Sequence, residues 1–119
     1  MSAESSLYSL LSGNGGVTAL VSTRIYPDAM PEKTTYPAIV FARIGTEPLV
    51  LVHGASGYAD MEFSIGCWGE TRAAADAVAS AVQTACATST FSITGREAGF
   101  DPETGLVATT LSATVFAAI

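Results

Sequence analysis

The stretch YADMEFSIGCW, residues 58–68, decides the fold. Ala59, Met61, Phe63, Ile65 and Cys67 occupy alternate positions, and Tyr58, Asp60, Glu62, Ser64 and Gly66 fall between them. A period of two is the signature of a strand with one buried and one polar face. The next stretch, ETRAAADAVASAVQTACAT, changes period. Thr71 is placed to cap a helix, and Ala74, Ala77, Val78, Ala81, Val82 and Ala85 form an apolar stripe at helical spacing. Arg72, Asp76 and Gln83 lie off that stripe. Alanine favours the helix and keeps it slim enough to lie close against a sheet. Trp68, at the junction, reads first as core packing between strand and helix, and second as an interface anchor.

Downstream, FSITGREAGF (91–100) and LVATTLSATVFAAI (106–119) are rich in β-formers and flank DPETG, where Pro102 presets φ and Gly105 permits a turn. They predict a terminal hairpin. Upstream, Ser2 and Glu4 suit the start of a first helix carrying Leu7, Leu10 and Leu11, which Gly13 stops. GNGG reads as a flexible connector, because the strand and Lys-Ser or Lys-Thr of a phosphate loop are missing, and VTALV as a further helical turn. TRIYP is a short strand. AIVFARI (38–44) is apolar on both faces and is expected to be central. Glu47-Pro48 is expected to break that strand, with a short apolar run over 49–52 and a turn at Gly54, Ser56 and Gly57. The order predicts an α+β fold. A mostly antiparallel or mixed sheet would carry an N-terminal helix and one longer Ala-rich helix, in a single domain over residues 1–119.

Hydrophobic residues make up 49% of the 119 and charged residues only 13%, which supplies a core but little charge to coat a surface. A surface so poor in charge suggests cover by partner subunits. The net charge is −6, and the five basic residues (Arg24, Lys33, Arg43, Arg72, Arg96) are scattered. That argues against tight binding to nucleic acid or an acidic membrane. The N-terminus lacks a basic segment followed by a long apolar one, so no signal peptide is expected. The apolar C-terminal stretch is short and interrupted by Thr and Ser, so no membrane span is expected either. The expected compartment is the cytosol.

Residues with chemical potential are few. Cys67 and Cys86 match no zinc or thioredoxin spacing and are expected to be small buried residues. His53, the one histidine, sits beside Gly54 in an expected loop without a nucleophile partner. Asp60 and Glu62 share a strand face and could form a carboxylate pair, but an ordinary polar sheet face accounts for them. Glu97, Asp101 and Glu103 cluster around the hairpin turn with Pro102 among them, unlike a calcium loop. No catalytic residue, cofactor or metal site is therefore predicted, and the protein is not expected to be an enzyme.

The layout resembles the tail-completion or tail-terminator proteins of long-tailed bacteriophages and related prophages. The likeness covers nearly the whole chain. It is carried by LYSLLSGNGGVTALVSTRIYP, TTYPAIVFARIGTEP, a strand ending in CW, the helix RAAADAVASAV and DPETGLVATTLSATVF. The pairing of GVTALVSTRIYP with YPAIVF is its specific part. The resemblance implies a virion protein of the tail-neck, assembled in the host cytoplasm. A six-fold ring of this chain would cap the tail tube, stop its polymerisation and offer a docking surface to the head-completion or connector protein. Genome DNA would pass through the bore without specific binding, which net acidity suits. The alternatives are another neck, head-completion or tube protein, or a small acidic ligand-binding domain.

Loops on a rigid scaffold are where such contacts are expected. Three are candidates: 27–36, 46–57 and 101–105. Their interface residues are Asp28, Met30, Glu32, Lys33, Glu47, Leu49, His53, Asp101 and Glu103. In the first, YPDAMPEKTTYP, Pro27 is expected to end one strand and Pro37 to open the next, where a missing N–H is tolerated. Tyr36, as a pre-proline residue, is pushed toward extended geometry.

Overall fold

The alternation at 58–68 does set the architecture. In a computed structural model, which describes residues 3–29, 35–51 and 54–118, three helices pack on one face of a five-stranded mixed sheet. The elements are α1 (Ala3–Ser12), α2 (Gly15–Val21), β1 (Ile25–Pro27), β2 (Ala38–Leu51), β3 (Gly54–Gly69), α3 (Arg72–Ala87), β4 (Ser92–Phe100) and β5 (Val107–Ala118). The spatial order is β1-β2-β3-β5-β4, with β1 parallel to β2 and all other neighbours antiparallel.

Strand β3 is the spine. Ala59, Met61, Phe63, Ile65 and Cys67 are all buried, alternating with Tyr58, Asp60, Glu62, Ser64, Gly66 and Trp68 on the other face. On the buried face they meet Ile39 and Phe41 of β2, Leu111, Ala113 and Val115 of β5, and Leu7, Leu11, Val17, Val21, Val78 and Val82 of the helices. The rings of Phe63 and Phe91 meet edge-on at 5.8 Å. The AIVFARI strand is central as expected, but only near its start, since β1 pairs with it at Ile39, Val40 and Phe41 alone.

Helix α3 starts where Thr71 predicts, its side chain accepting from the Ala74 amide at 3.2 Å. Its buried face is rotated from the expected stripe. Ala75, Val78, Ala79, Val82, Ala85 and Cys86 are buried, whereas Ala77 is exposed and Ala74 and Ala81 are half-buried. In a run of alanines the sequence offers several equivalent stripes. The choice is made by Val78 and Val82 and by close approach to the sheet, where a Cβ on Gly69 would lie 3.0 Å from the Ala75 nitrogen. The GNGG connector is also more ordered than expected. Asn14 caps α2, its side-chain oxygen accepting from the Val17 amide at 3.1 Å. Gly13 closes α1 by donating to the Ser9 carbonyl at 2.9 Å. Ser2 lies outside the described residues.

Two expectations are overturned. Glu47-Pro48 does not end the strand, and Gly54 and Gly57 do not make a simple turn. The backbone of β2 continues to Leu51 and pairs with β3 from its first residue, Gly54. Pro48 is accommodated because β2 has a neighbour on one side only there, and because a bulge between Pro48 and Val50 relaxes the ladder. Trp68 is not wedged between strand and helix. It lies half-buried on the face away from the helices, its ring against Gly66.

A polar node joins α3 to the terminal hairpin. Thr109, 2% exposed, donates to Asp76 Oδ1 at 2.7 Å and accepts from Arg72 Nη1 at 3.2 Å. Arg72 also donates to the carbonyls of Ala108 and Gly99, both at 2.9 Å. Arg96 reaches Gln83 at 3.2 Å and Asp76 at 3.6 Å. Replacing Thr109 with Val keeps the shape but removes one donor and one acceptor. Thr109→Val is expected to lower unfolding free energy by about 1–3 kcal/mol. Urea unfolding followed by circular dichroism reads this out, and an unchanged midpoint would show the node to be dispensable.

Candidate functional site

The ladder registers place the three candidate loops at two opposite ends of the sheet. Ala38 is opposite Trp68, Gly69 is opposite Val107, and Val107 is opposite Phe100. The 101–105 turn and the end of the 27–36 loop therefore lie at the same end. Tyr36, Glu70, Thr104, Gly105 and Leu106 line one open depression there. Arg24 holds the loop's exit by donating to the Pro37 carbonyl at 2.9 Å, next to a cis Tyr36–Pro37 bond. The β2–β3 hairpin projects from the opposite end. Toward Gly54 from Tyr58, β3 has no β5 neighbour among the described residues, so the arm described is two-stranded. It lengthens the molecule to 51 × 30 × 23 Å, and the radius of gyration of 15.0 Å exceeds the ~13.5 Å of a compact chain this size.

The predicted interface residues fare differently. Asp28 is exposed, with φ of +66°, and its amide donates to the Phe41 carbonyl at 2.8 Å. Met30, Glu32, Lys33 and His53 lie outside the described residues. Glu47 and Leu49 are on β2 rather than in a loop, with Glu47 opposite Asp60, where β5 still flanks β3. Asp101 is a turn-builder: its carboxylate accepts from the Glu103 amide and the Thr104 hydroxyl, both at 3.0 Å, while Gly105 adopts φ of +73°. Glu103 is exposed.

The face away from the helices is polar and acidic. Asp60 and Glu62 are exposed on it, beside a shallow hollow lined by Gly45, Thr46, Met61 and Thr114. The register adds Glu97 to that face, opposite Thr110. The four described arginines turn elsewhere. Arg24 and Arg72 bind backbone carbonyls, Arg96 binds α3, and Arg43 pairs with Glu4 at 3.2 Å. Among the described residues, no three of His, Cys, Asp or Glu come together as metal ligands, and no helix is long and apolar enough to cross a membrane.

Sequence reasoning missed the exposed apolar residues. Phe100 is 63% exposed on the helix side of the sheet, and Tyr58 and Phe116 stack at 5.7 Å on the other side. A groove between α1 and the β1–β2 edge is lined by Glu4, Tyr8, Ser9, Pro27 and Phe41. Aromatic residues at strand ends were visible as such, but their exposure depends on the register.

Both cysteines are free and buried. Burial pushes the Cys67 thiol up to about 12, partly opposed by Arg96, and burial likewise raises Cys86. A thiol so disfavoured as thiolate is not a nucleophile.

A family model described as tail completion protein gp17 matches residues 5–115. Among solved structures, a chain in the virion of a native gene transfer agent particle is similar. It superposes with a TM-score of 0.79 at 18% identity, over 92% of this chain and 90% of that one. No curated protein sequence matches.

The buried thiols give a signed pH dependence. An unfolded thiol ionises before Cys67 does, so stability is expected to fall as pH rises from about 9 toward 12. Cys67→Ala should flatten that fall. Equal slopes for the parent and variant in urea titrations across this range would contradict it.

Proposed function

The chain belongs to the tail completion protein gp17 family, and from that premise we propose that it closes the tail tube of a phage-like particle. Six copies form a ring on the finished tube. The ring ends polymerisation on one side, presents a docking surface for the head's connector on the other, and leaves a bore for DNA. The family match and the likeness to a virion chain make it a structural tail protein. The ring, the stop and the docking are the proposal.

The observation that carries it is the unlikeness of the two ends. One bears a projecting two-stranded arm with unpaired backbone. The other bears a turn locked by Asp101, with Tyr36, Glu70 and Leu106 around it. A subunit that stacks head-to-tail on copies of itself needs two ends that complement each other; a subunit that stops a stack needs one end that fits the tube and another that offers the tube subunit no complementary surface. The acidic sheet face, with the described arginines turned to internal partners, supports a bore that repels phosphate rather than gripping it.

The test is solution mass with and without purified tail tubes, together with particle imaging. The expected result is a six-copy ring and tubes of uniform length capped by it. A strict monomer that never binds tube ends would end the proposal. Shortening residues 29–34 is expected to preserve the melting transition but reduce head–tail joining, read as the ratio of complete particles to free heads and tails.

A further inference from the structure

The sheet leaves two backbone edges open. Strand β4 is the last strand, so among the described residues its outer edge is unpaired over nine residues. Strand β2 is covered by β1 only at residues 39–41, so its outer edge is unpaired from residue 42 to 51 among the described residues. These edges are similar in length and lie on opposite sides of one sheet. Because β4 runs opposite to β2, copies related by rotation about a ring axis bring them together antiparallel, without inverting any subunit.

The heights of the two edges agree with closure. Following the registers, Ser92 is level with Thr114, Glu62 and Gly45, and Phe100 with Val107 and Gly69, just past Ala38. The centre of β4 is thus about five residues, or ~18 Å, below the centre of the free β2 edge. Crossing one copy from β2 to the next copy's β2 takes four strand spacings, ~19 Å. A rise of ~18 Å over ~19 Å is a strand tilt of ~43°, within the ~35–45° of closed barrels. Six copies at that tilt give a backbone radius of ~25 Å.

The same offset brings a knob to a hole. Phe100 projects on the helix side, 63% exposed. Moved to the next copy, it arrives beside residues 42–43 of β2, where β1 stops. The groove of Tyr8, Ser9, Pro27 and Phe41 opens there, on the same side. The geometry points to a head-to-tail contact between copies: β4 of one copy adds to the free β2 edge of the next, and its Phe100 seats in that copy's groove between α1 and β1. Backbone hydrogen bonds supply the register, and the phenyl ring supplies desolvated area. The contact rests on the ring reading above and names its subunit interface.

The two half-sites can be broken separately, on residues that are exposed and outside the core. Phe100→Asp spoils the knob, and Ser9→Arg fills the groove. Sedimentation of the ring-forming protein, alone or on tube ends, is the measurement. Each variant alone is expected to sediment as a monomer, and an equimolar mixture as a one-to-one dimer, since only one good knob and one good groove remain. Phe100→Leu is expected to keep the ring. Rings of parental size from both single variants would overturn the contact while leaving the ring proposal standing. Parental protein that stays monomeric even with tube ends would instead remove the ring proposal, and this contact with it.

Discussion

The structure depends on the one-sided burial of β3. Five alternate residues, Ala59 to Cys67, are buried among the helices, and their neighbours face away. A sheet covered on one face only is common for antiparallel strands. Here it fixes the remainder of the molecule. All three helices share one side, the core lies between them and the sheet, and the opposite face is left for polar, acidic and aromatic side chains. Sliding β3 by one residue would expose Phe63 and bury Asp60 and Glu62, so register is strongly enforced.

What the sequence made legible follows from that same periodicity. Strand β3, helix α3 with its Thr71 cap, and the terminal hairpin with its Asp101–Gly105 turn were readable because each carries a local chemical signal. The arm was not. Pro48 and Gly57 are strong punctuation, and nothing in residues 45–57 announces that β2 lacks a second neighbour there and can therefore tolerate a proline and a bulge. The buried stripe on α3 differs from the expected one for a different reason: eight nearly equivalent alanines leave the helix's rotation to tertiary packing. Trp68 sits at the strand–helix junction, but it shares the parity of Asp60 and Glu62 on β3, and that parity places it on the uncovered face.

The candidate assembly residues divide along similar lines. Loops are the expected place for contacts, yet the features that distinguish this surface are backbone edges and exposed aromatic rings. Edges cannot be seen in a sequence, since whether a strand has one neighbour or two is a property of the sheet order. Phe100 looks like an ordinary strand residue until the register places it at a corner with no helix above it. Asp101, chosen as a contact, has its carboxylate committed to the turn.

Charge distribution ties the fold to assembly. Arg72 and Arg96 bind α3 to the hairpin, Arg24 fixes the entry to β2, and Arg43 is drawn to Glu4 and Met61. Each described arginine is thus taken up within the subunit, while Asp60, Glu62 and Glu97 keep the uncovered sheet face acidic. Surface pairs such as Arg43 with Glu4, each side chain 39% exposed, add little stability. Their consequence is electrostatic. With the described positive charges turned toward internal partners, the described charges on the bare face are all acidic, and repulsion from a face of one sign decays over about a Debye length, ~8 Å at physiological salt. A duplex centred among several such faces would be held off all of them at once, which is what a passage needs and a binding site does not.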